Sequence, residues 1–388
     1  MGRNGAVGAA VRRRRIHEHI RLLCRCGAGL EAIASPLCAA VRDLIGADSG
    51  SLFWLDEMGV PAGFFHDCAP AEIKDLFITR FEDLFLGPEE INVIELTRSV
   101  EPSIGRLLDP AFEQRFWRSN IYQYLCVPLG HRHMLDVRIE VNGVGQALFC
   151  AWNRVGRPFT QADADALRPA QIEMQHAVAV RRADVHWRSL DSGSAHFITD
   201  VAGLKLIAID EEAEAMLMKS HLLQQNVSMT RQPRGAPGFA AVLAKLLSTQ
   251  TAATLHLPVA NGRIVARATR TRSIAPRGTS AQEMMFVALG LQIAADVLVV
   301  EYLMSLPLFP LQREIALFAM QGRSRSDCRP TFSVGDEALK KHLRAIFDAT
   351  GARKWTDLVD LDPTVQLEDK TTRRSGDGLS AIATATGV

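Results

Sequence analysis

The stretch "DEALKKHLRAIF", Asp336–Phe347, decides how the carboxyl-terminal part of this chain is read. At 3.6 residues per turn, Leu339, Leu343, Ile346 and Phe347 share one stripe, and Lys340, Lys341 and Arg344 fall on the other side. The pattern predicts a helix with an apolar back and a cationic front. Most helices turn Lys and Arg outward simply because water is there. The front acquires meaning only from its surroundings.

Those surroundings, residues 308–359, read "LFPLQREIALFAMQGRSRSDCRPTFSVGDEALKKHLRAIFDATGARKWTDLV" and predict four short helices. Pro310 suits a first helical turn, where no N–H is needed, and Gly322 suits a C-terminal cap. A second helix begins after Ser324. A turn at Phe332–Ser333 leads into the helix from Asp336, and a last helix follows Lys354. The segment holds nine Lys/Arg against six acids, a net of +3 in a chain whose formal charge is only +1. Any basic surface is therefore local. Lys and Arg can donate to guanine O6 and N7 in the major groove and can neutralise phosphates.

The segment resembles a LuxR-type helix-turn-helix. The marks are Leu308-x-Pro310, Arg313-Glu314, Gln321-Gly322-x-Ser324, Val334, Lys340-x-His342-Leu343, Ile346, Gly351 and Leu358-Val359. The resemblance implies that the helix from Asp336 is the recognition helix, with Lys340, Lys341 and Arg344 reaching base edges and His342 beside them. Arg353 and Lys354 lie outside that helix as candidate phosphate contacts, with an ordinary solvated role the competing reading. The sequence also departs from the family. Arg329 and Pro330 stand where a helix continues with a small residue, and Pro removes a donor and disfavours a helical residue before it. Gly335 and Ala338 replace hydroxyl residues at the start of the recognition helix, and Ala349-Thr350 replaces a Lys-Leu pair. A lost cap costs about 1 kcal/mol, and Ser333 and Asp336 are the residues placed to substitute.

Upstream, residues 11–24 read as helix, and Glu31–Ala47 as an amphipathic helix with Ile33, Leu37, Val41 and Leu44 on its stripe. "SGSLFWLDEMGVPAGFF" reads as a hairpin, and Ala71–Trp117 as a mixed helical region. Strands are expected at "IYQYLCVPL", "MLDVRIEV" and "GQALFCAW", the last two joined at Asn142-Gly143, a type I′ turn signal. Thr160 caps a helix to about Asp184, with Ala164, Leu167, Ile172 and Met174 among its apolar positions. This order, with its "FT-x-x-D" start to the final helix, resembles a GAF domain over residues 20–185. That resemblance implies a small-molecule pocket between the sheet and the insert helices.

The polar stretch "RRADVHWRSLDSGSA" marks a boundary near 181–195. Beyond it come a strand, a turn at Gly203, a second strand, a helix from Glu211 to Met218 and a helix at "FAAVLAKLL". A hairpin across Asn261-Gly262 and a strand at "EMMFVALGL" follow. This succession is similar to a PAS domain over residues 194–292. The fold class expected is therefore multidomain α+β, with GAF-like and PAS-like α/β sensor domains before an all-α, four-helix LuxR-type helix-turn-helix domain. The expected boundaries are a basic segment at 1–19, sensors at 20–185 and 194–292, a linking helix at 293–306, the helix-turn-helix at 307–361 and a disordered tail at 362–388.

Other chemistry is sparse. The seven scattered Cys read as reduced thiols, mostly core residues. "HEH" at 17–19, "CRC" at 24–26 and "HRH" at 131–133 lack the spacing of a metal site. In a sensor domain Cys68 next to His66 is a candidate for binding a haem or a chromophore, with a structural role the commoner reading. No phosphate loop, nucleophile elbow or kinase signature is present, so no enzyme is expected. No cofactor or metal is expected. Asp296 and Glu301 interrupt the apolar run Met284–Met304, which reads as a buried strand and helix rather than a membrane span. Four Arg near the start precede no secretion signal.

The reading is a cytoplasmic transcriptional regulator. Its partners would be double-stranded DNA, an unknown small-molecule effector and a second copy of the chain, with no membrane. Helices near 160–184 and 293–306 would transmit the effector's influence to two recognition helices. The competing reading is a sensor or protein-interaction module whose degenerate helix-turn-helix binds no DNA.

Overall fold

The computed structural model describes residues 3–55, 61–70, 101–182, 185–190, 195–220, 235–273 and 281–362, with positions 73, 76, 80, 83, 84, 90, 96 and 97. It is a mixed α+β protein with two antiparallel sheets, and it divides into two compact units, residues 1–293 and 294–388.

The first unit begins with α1 (Arg3–Arg25), a single helix that runs through residue 19 without a break. A 3-10 turn at Glu31–Ile33 leads into α2 (Ala34–Ile45), where Ile33, Leu37, Val41 and Leu44 are all buried. Gly46 closes α2 at φ 65°, a conformation glycine adopts without a Cβ clash. Strands β1 (Ser49–Leu55) and β2 (Pro61–His66) pair as the expected hairpin. After α3 (Pro110–Arg118), strands β3 (His131–Val141) and β4 (Val144–Arg154) join through Asn142 and Gly143, both at positive φ. The first sheet has the order β2-β1-β4-β3.

α4 (Gln161–Ala179) starts at a full capping box, in which the Thr160 hydroxyl accepts from the Asp163 N–H and the Asp163 carboxylate accepts from the Thr160 N–H. It stops at Ala179, short of the expected Asp184, and Ile172 points to solvent while Ala170 and Gln171 are buried. Helices α1, α2 and α4 pack together behind the sheet.

"IYQYLCVPL" is not a strand. Residues Tyr122–Cys126 form a π-helical turn. Its buried residues, Ile121, Tyr122, Leu125 and Cys126, follow the one-then-three spacing of a helix face instead of alternation. Of the expected helical region Ala71–Trp117, the described residues include a 3-10 turn at Arg106–Leu108 and α3, while most of 71–100 and the tail from 363 lie outside the described residues.

The second sheet runs β7-β6-β10-β9-β8, with β5 also on β10. The expected boundary stretch thus contains a strand, β5 (Trp187–Ser189), where Trp187 lies under the Arg263 guanidinium. β6 (Ala195–Asp200) and β7 (Leu206–Ile209) turn at Gly203, and α5 (Glu211–Lys219) and α6 (Gly238–Leu247) cover one face of the sheet. β8 (Ala252–Val259) and β9 (Gly262–Arg272) form a hairpin, and β10 (Glu283–Ala294) completes the sheet. The hairpin's loop is Ala260-Asn261, one residue earlier than expected, because Val259 pairs with Gly262. Asn261 takes the positive φ. It also ties the two sheets' lobes: its N–H donates to the Glu31 carbonyl and its Oδ1 accepts from the Ser35 N–H, both at 2.7 Å.

The second unit is helical. α7 (Ala295–Ser305) follows directly on β10, so the apolar run from Met284 is the expected strand and helix. Among the described residues no helix is long and apolar enough to cross a membrane. α8 (Pro310–Met320) is the hub, against which α9 (Arg325–Phe332), α10 (Asp336–Thr350), α11 (Trp355–Val359) and α7 all pack.

Candidate functional site

α10 is built as its pattern predicts. Leu339, Leu343 and Ile346 are buried against α8, Phe347 is half-buried, and Lys340, Lys341 and Arg344 are exposed. Gly351 ends the helix at φ 78°, and its N–H donates to the Phe347 carbonyl. The start of α10 is less well served. Gly335 is the N-cap and no side chain caps the helix. Neither substitute acts: Ser333 stands at φ 52° at the end of α9, and Asp336 pairs with Arg329 at 3.1 Å. The acids of the first turn, Asp336 and Glu337, still favour the helix dipole.

Arg329 and Pro330 do not break α9. Arg329 is helical, and the helix runs on to Phe332, although Pro330 has no N–H for the Ser326 carbonyl. The Thr331 hydroxyl donates to the Asp327 carbonyl at 2.7 Å, and Phe332 meets the Phe318 ring edge to face. The buried side chain of α9 is Cys328.

The cations divide by environment. Arg313 is buried, with Nε donating to the Leu303 carbonyl and Nη2 to the Leu306 carbonyl. It caps the end of α7, so its charge is lost to any outer surface. Lys340 pairs with Glu337 at 2.7 Å. Lys341, Arg344 and Arg353 have no ion pair among the described residues. Lys354 stands 3.9 Å from Asp357, which accepts from the backbone N–H of Arg353 and Lys354 and fixes the start of α11. His342 is half-buried, and its Nδ1 is inside without a hydrogen-bond partner among the described residues. The exposed side of α10 thus presents three cations in mid-helix, flanked by Asp336, Glu337 and Asp348.

In the first unit a cavity of about 70 Å³ lies on the face of the first sheet away from α1, α2 and α4. Phe53, Phe64, Leu125, Met134 and Leu148 supply apolar lining. One end is polar: His66, His131 and Trp152 form a wall of near-parallel rings, with centroids 5.4–6.4 Å apart. The Trp152 indole N–H donates to the Ser51 hydroxyl at 2.8 Å, and the Ser49 hydroxyl meets His131 Nε2 at 3.0 Å. Cys68 is largely exposed and its N–H donates to His66 Nδ1; partial desolvation of the thiol, with the neighbouring Asp67 carboxylate, raises its pKa to about 11, the opposite of a reactive thiolate. The other six cysteines are buried, and none of the seven is in a disulfide. No metal-binding cluster occurs among the described residues.

The cavity's ring wall escaped sequence reading because His66, His131 and Trp152 lie on three strands, and only the register β2-β1-β4-β3 brings them together. Local spacing in the "HRH" motif says nothing of this, since its first His acts through a partner 82 residues away.

The chain matches no protein-family model and no curated protein. Among solved structures it is similar to the phage VqmA–DPO complex, at 17% identity over 44% of this chain and 82% of that one, with a TM-score of 0.20. It is also similar to bacteriophytochrome RpBphP3 from the photosynthetic bacterium R. palustris, at 14% identity over 74% of this chain and 72% of that one, with a TM-score of 0.24.

Proposed function

We propose that the chain is a cytoplasmic, sequence-specific DNA-binding transcriptional regulator, with GAF-like and PAS-like sensor domains and a LuxR-type helix-turn-helix. It acts as a homodimer and not as an enzyme. The observation that carries the reading is α10: Lys340, Lys341 and Arg344 exposed over Leu339, Leu343 and Ile346 buried on α8. Such a helix can enter a major groove while its back stays packed. The cavity of the first unit supports a small effector, since apolar pockets with a few convergent polar groups are the usual form of ligand sites. An effector acts only by binding two arrangements of the chain unequally. A second reading, a sensor whose four-helix unit docks a protein, is favoured by the Arg329–Asp336 and Lys340–Glu337 pairs, which occupy cations of the outer face.

Selection of genomic fragments on the purified protein, followed by a retardation assay, decides between them. The regulator retains a defined fragment, and the complex weakens steeply with salt. Absence of any complex at low salt rejects the regulator reading and leaves the docking one.

A further inference from the structure

α2 begins without a cap of its own. Its N-cap residue is Ile33, which has no polar side chain to offer. The first N–H groups of a helix have no partner within it. One of them, on Ser35 in the second helical position, donates at 2.7 Å to Oδ1 of Asn261, 226 residues along the chain at the tip of the β8–β9 hairpin. Asn is among the residues that cap helices best, and this N–H is one that a cap side chain ordinarily meets. Here the cap comes from the lobe of the second sheet.

The hairpin itself does not need that side chain. Its two-residue loop asks for positive φ, which Asn261 takes at 68° and which glycine adopts equally well. The side-chain amide is thus left for α2. Neighbouring contacts hold the tip where it can reach. The Asn261 N–H donates to the Glu31 carbonyl, and Glu31, 5% exposed, pairs through its carboxylate with Arg181, just past α4, at 2.7 Å. The Arg182 N–H donates to the Gly27 carbonyl at 3.0 Å. Further along the same linker, Trp187 lies under the guanidinium of Arg263, two residues past the tip. The 3-10 turn before α2 therefore holds the hairpin by its backbone and the chain leaving α4 by a side chain.

We infer that Asn261 is the cap of α2, supplied from the second lobe, and that this cap couples the two lobes of the first unit. Loosening either side of the contact loosens the other. β8 is the edge strand of its sheet, so the β8–β9 hairpin is the part of that sheet the contact can fix or free. On the reading of the first unit as a sensor, the cap is the route by which its ligand state reaches the second sheet. The coupling itself does not rest on that reading.

The test is native-state amide hydrogen exchange on the full chain, with one variant in each lobe. Asn261→Gly keeps the turn and removes the acceptor. Ser35→Pro removes the donor, at a first-turn position that tolerates proline. Asn261→Gly should accelerate exchange in α2 about fivefold, and Ser35→Pro should accelerate exchange along β8 and β9 by a similar factor. The double variant should be no faster than the faster single one, because both remove the same contact, whereas independent losses multiply. Exchange in α8 and α10 should stay at the wild-type rate. If Ser35→Pro fails to fold, Asn261→Gly still decides, since its readout lies in the lobe that was not changed. Acceleration confined to the substituted lobe, wild-type exchange in α2 of Asn261→Gly, or multiplied effects in the double variant each overturns the inference. None of these measurements involves DNA or a ligand. Coupled lobes in a protein that retards no fragment keep the cap and lose the regulator reading, and the reverse result does the opposite.

Discussion

Lys340 has one partner in the structure and would meet a second in the proposed DNA complex. Its ammonium lies 2.7 Å from Glu337, one helical turn back, with both groups exposed. Exposed pairs at this spacing hold a helix by only about 0.3–0.5 kcal/mol, so a DNA phosphate or guanine can replace the carboxylate at little cost. Two predictions separate the roles. Lys340→Ala should weaken operator binding by about 1–3 kcal/mol and relax specificity at one base position, with the thermal midpoint almost unchanged. Glu337→Gln should tighten binding several-fold, because it removes a negative charge that would face phosphate in the proposed complex and frees Lys340. Weaker binding in Glu337→Gln, read by the same retardation assay, would mean that the carboxylate itself contacts a base.

A second residue tells on the pH axis. Asp136 on β3 is buried, and its Oδ1 accepts from the Leu107 N–H. Burial raises its pKa to about 6, against the pull of the hydrogen bonds that favour the anion. The folded state therefore holds this proton more tightly than the unfolded chain does. The resulting stability is fully present below about pH 4, declines as the unfolded chain ionises, and is lost as pH rises through about 6. Asp136→Asn keeps an acceptor for Leu107 and removes the titration. It should be more stable than the wild type above pH 6 by about 1–3 kcal/mol, and the gap should close below pH 4. Denaturation midpoints of the two proteins across that range give the test, and a gap independent of pH refutes the assignment.

Elements were legible in the sequence where pattern and cap agreed, and illegible where a long-range contact decided. α4 was announced by Thr160 and Asp163, and α10 by a stripe and a terminal glycine. The segment at Tyr122–Cys126 was misread because a short apolar run fits strand and helix alike until its buried positions are known. The Asn261-Gly262 pair shows the same limit. The dipeptide reads as a turn, yet Gly262 lies in β9, and a Cβ there would stand 2.2 Å from the Gln292 carbonyl oxygen. The glycine serves close approach of β9 to β10, and only Asn261 serves the turn. Gly262→Ala should thus cost about 1–3 kcal/mol, and the loss should appear as accelerated amide exchange along β9 and β10. Unchanged protection there would assign the glycine back to the turn.

At the scale of the whole molecule the sequence revealed the order of parts better than their chemistry. The two sheets and the helical unit follow in the expected order, while the cavity's polar wall exists only after β2, β1, β4 and β3 are in register. Charge is the property that remains legible at this scale. A formal net of +1 provides no general attraction to a polyanion, so any DNA affinity must arise from particular surfaces. Two candidates among the described residues are the front of α10 and the exposed arginines Arg12–Arg15 on α1. Each cation that neutralises a phosphate contributes about 0.9 to the slope of log affinity against log salt. If α10 supplies the contacts, replacing Arg12–Arg15 by Gln should leave the slope where it was, while Lys341→Ala or Arg344→Ala should each reduce it by about one. A slope that falls with the α1 replacement and ignores the α10 variants would move the nucleic-acid surface to the amino terminus. It would also reduce α10 to an ordinary solvated helix with a well-made back.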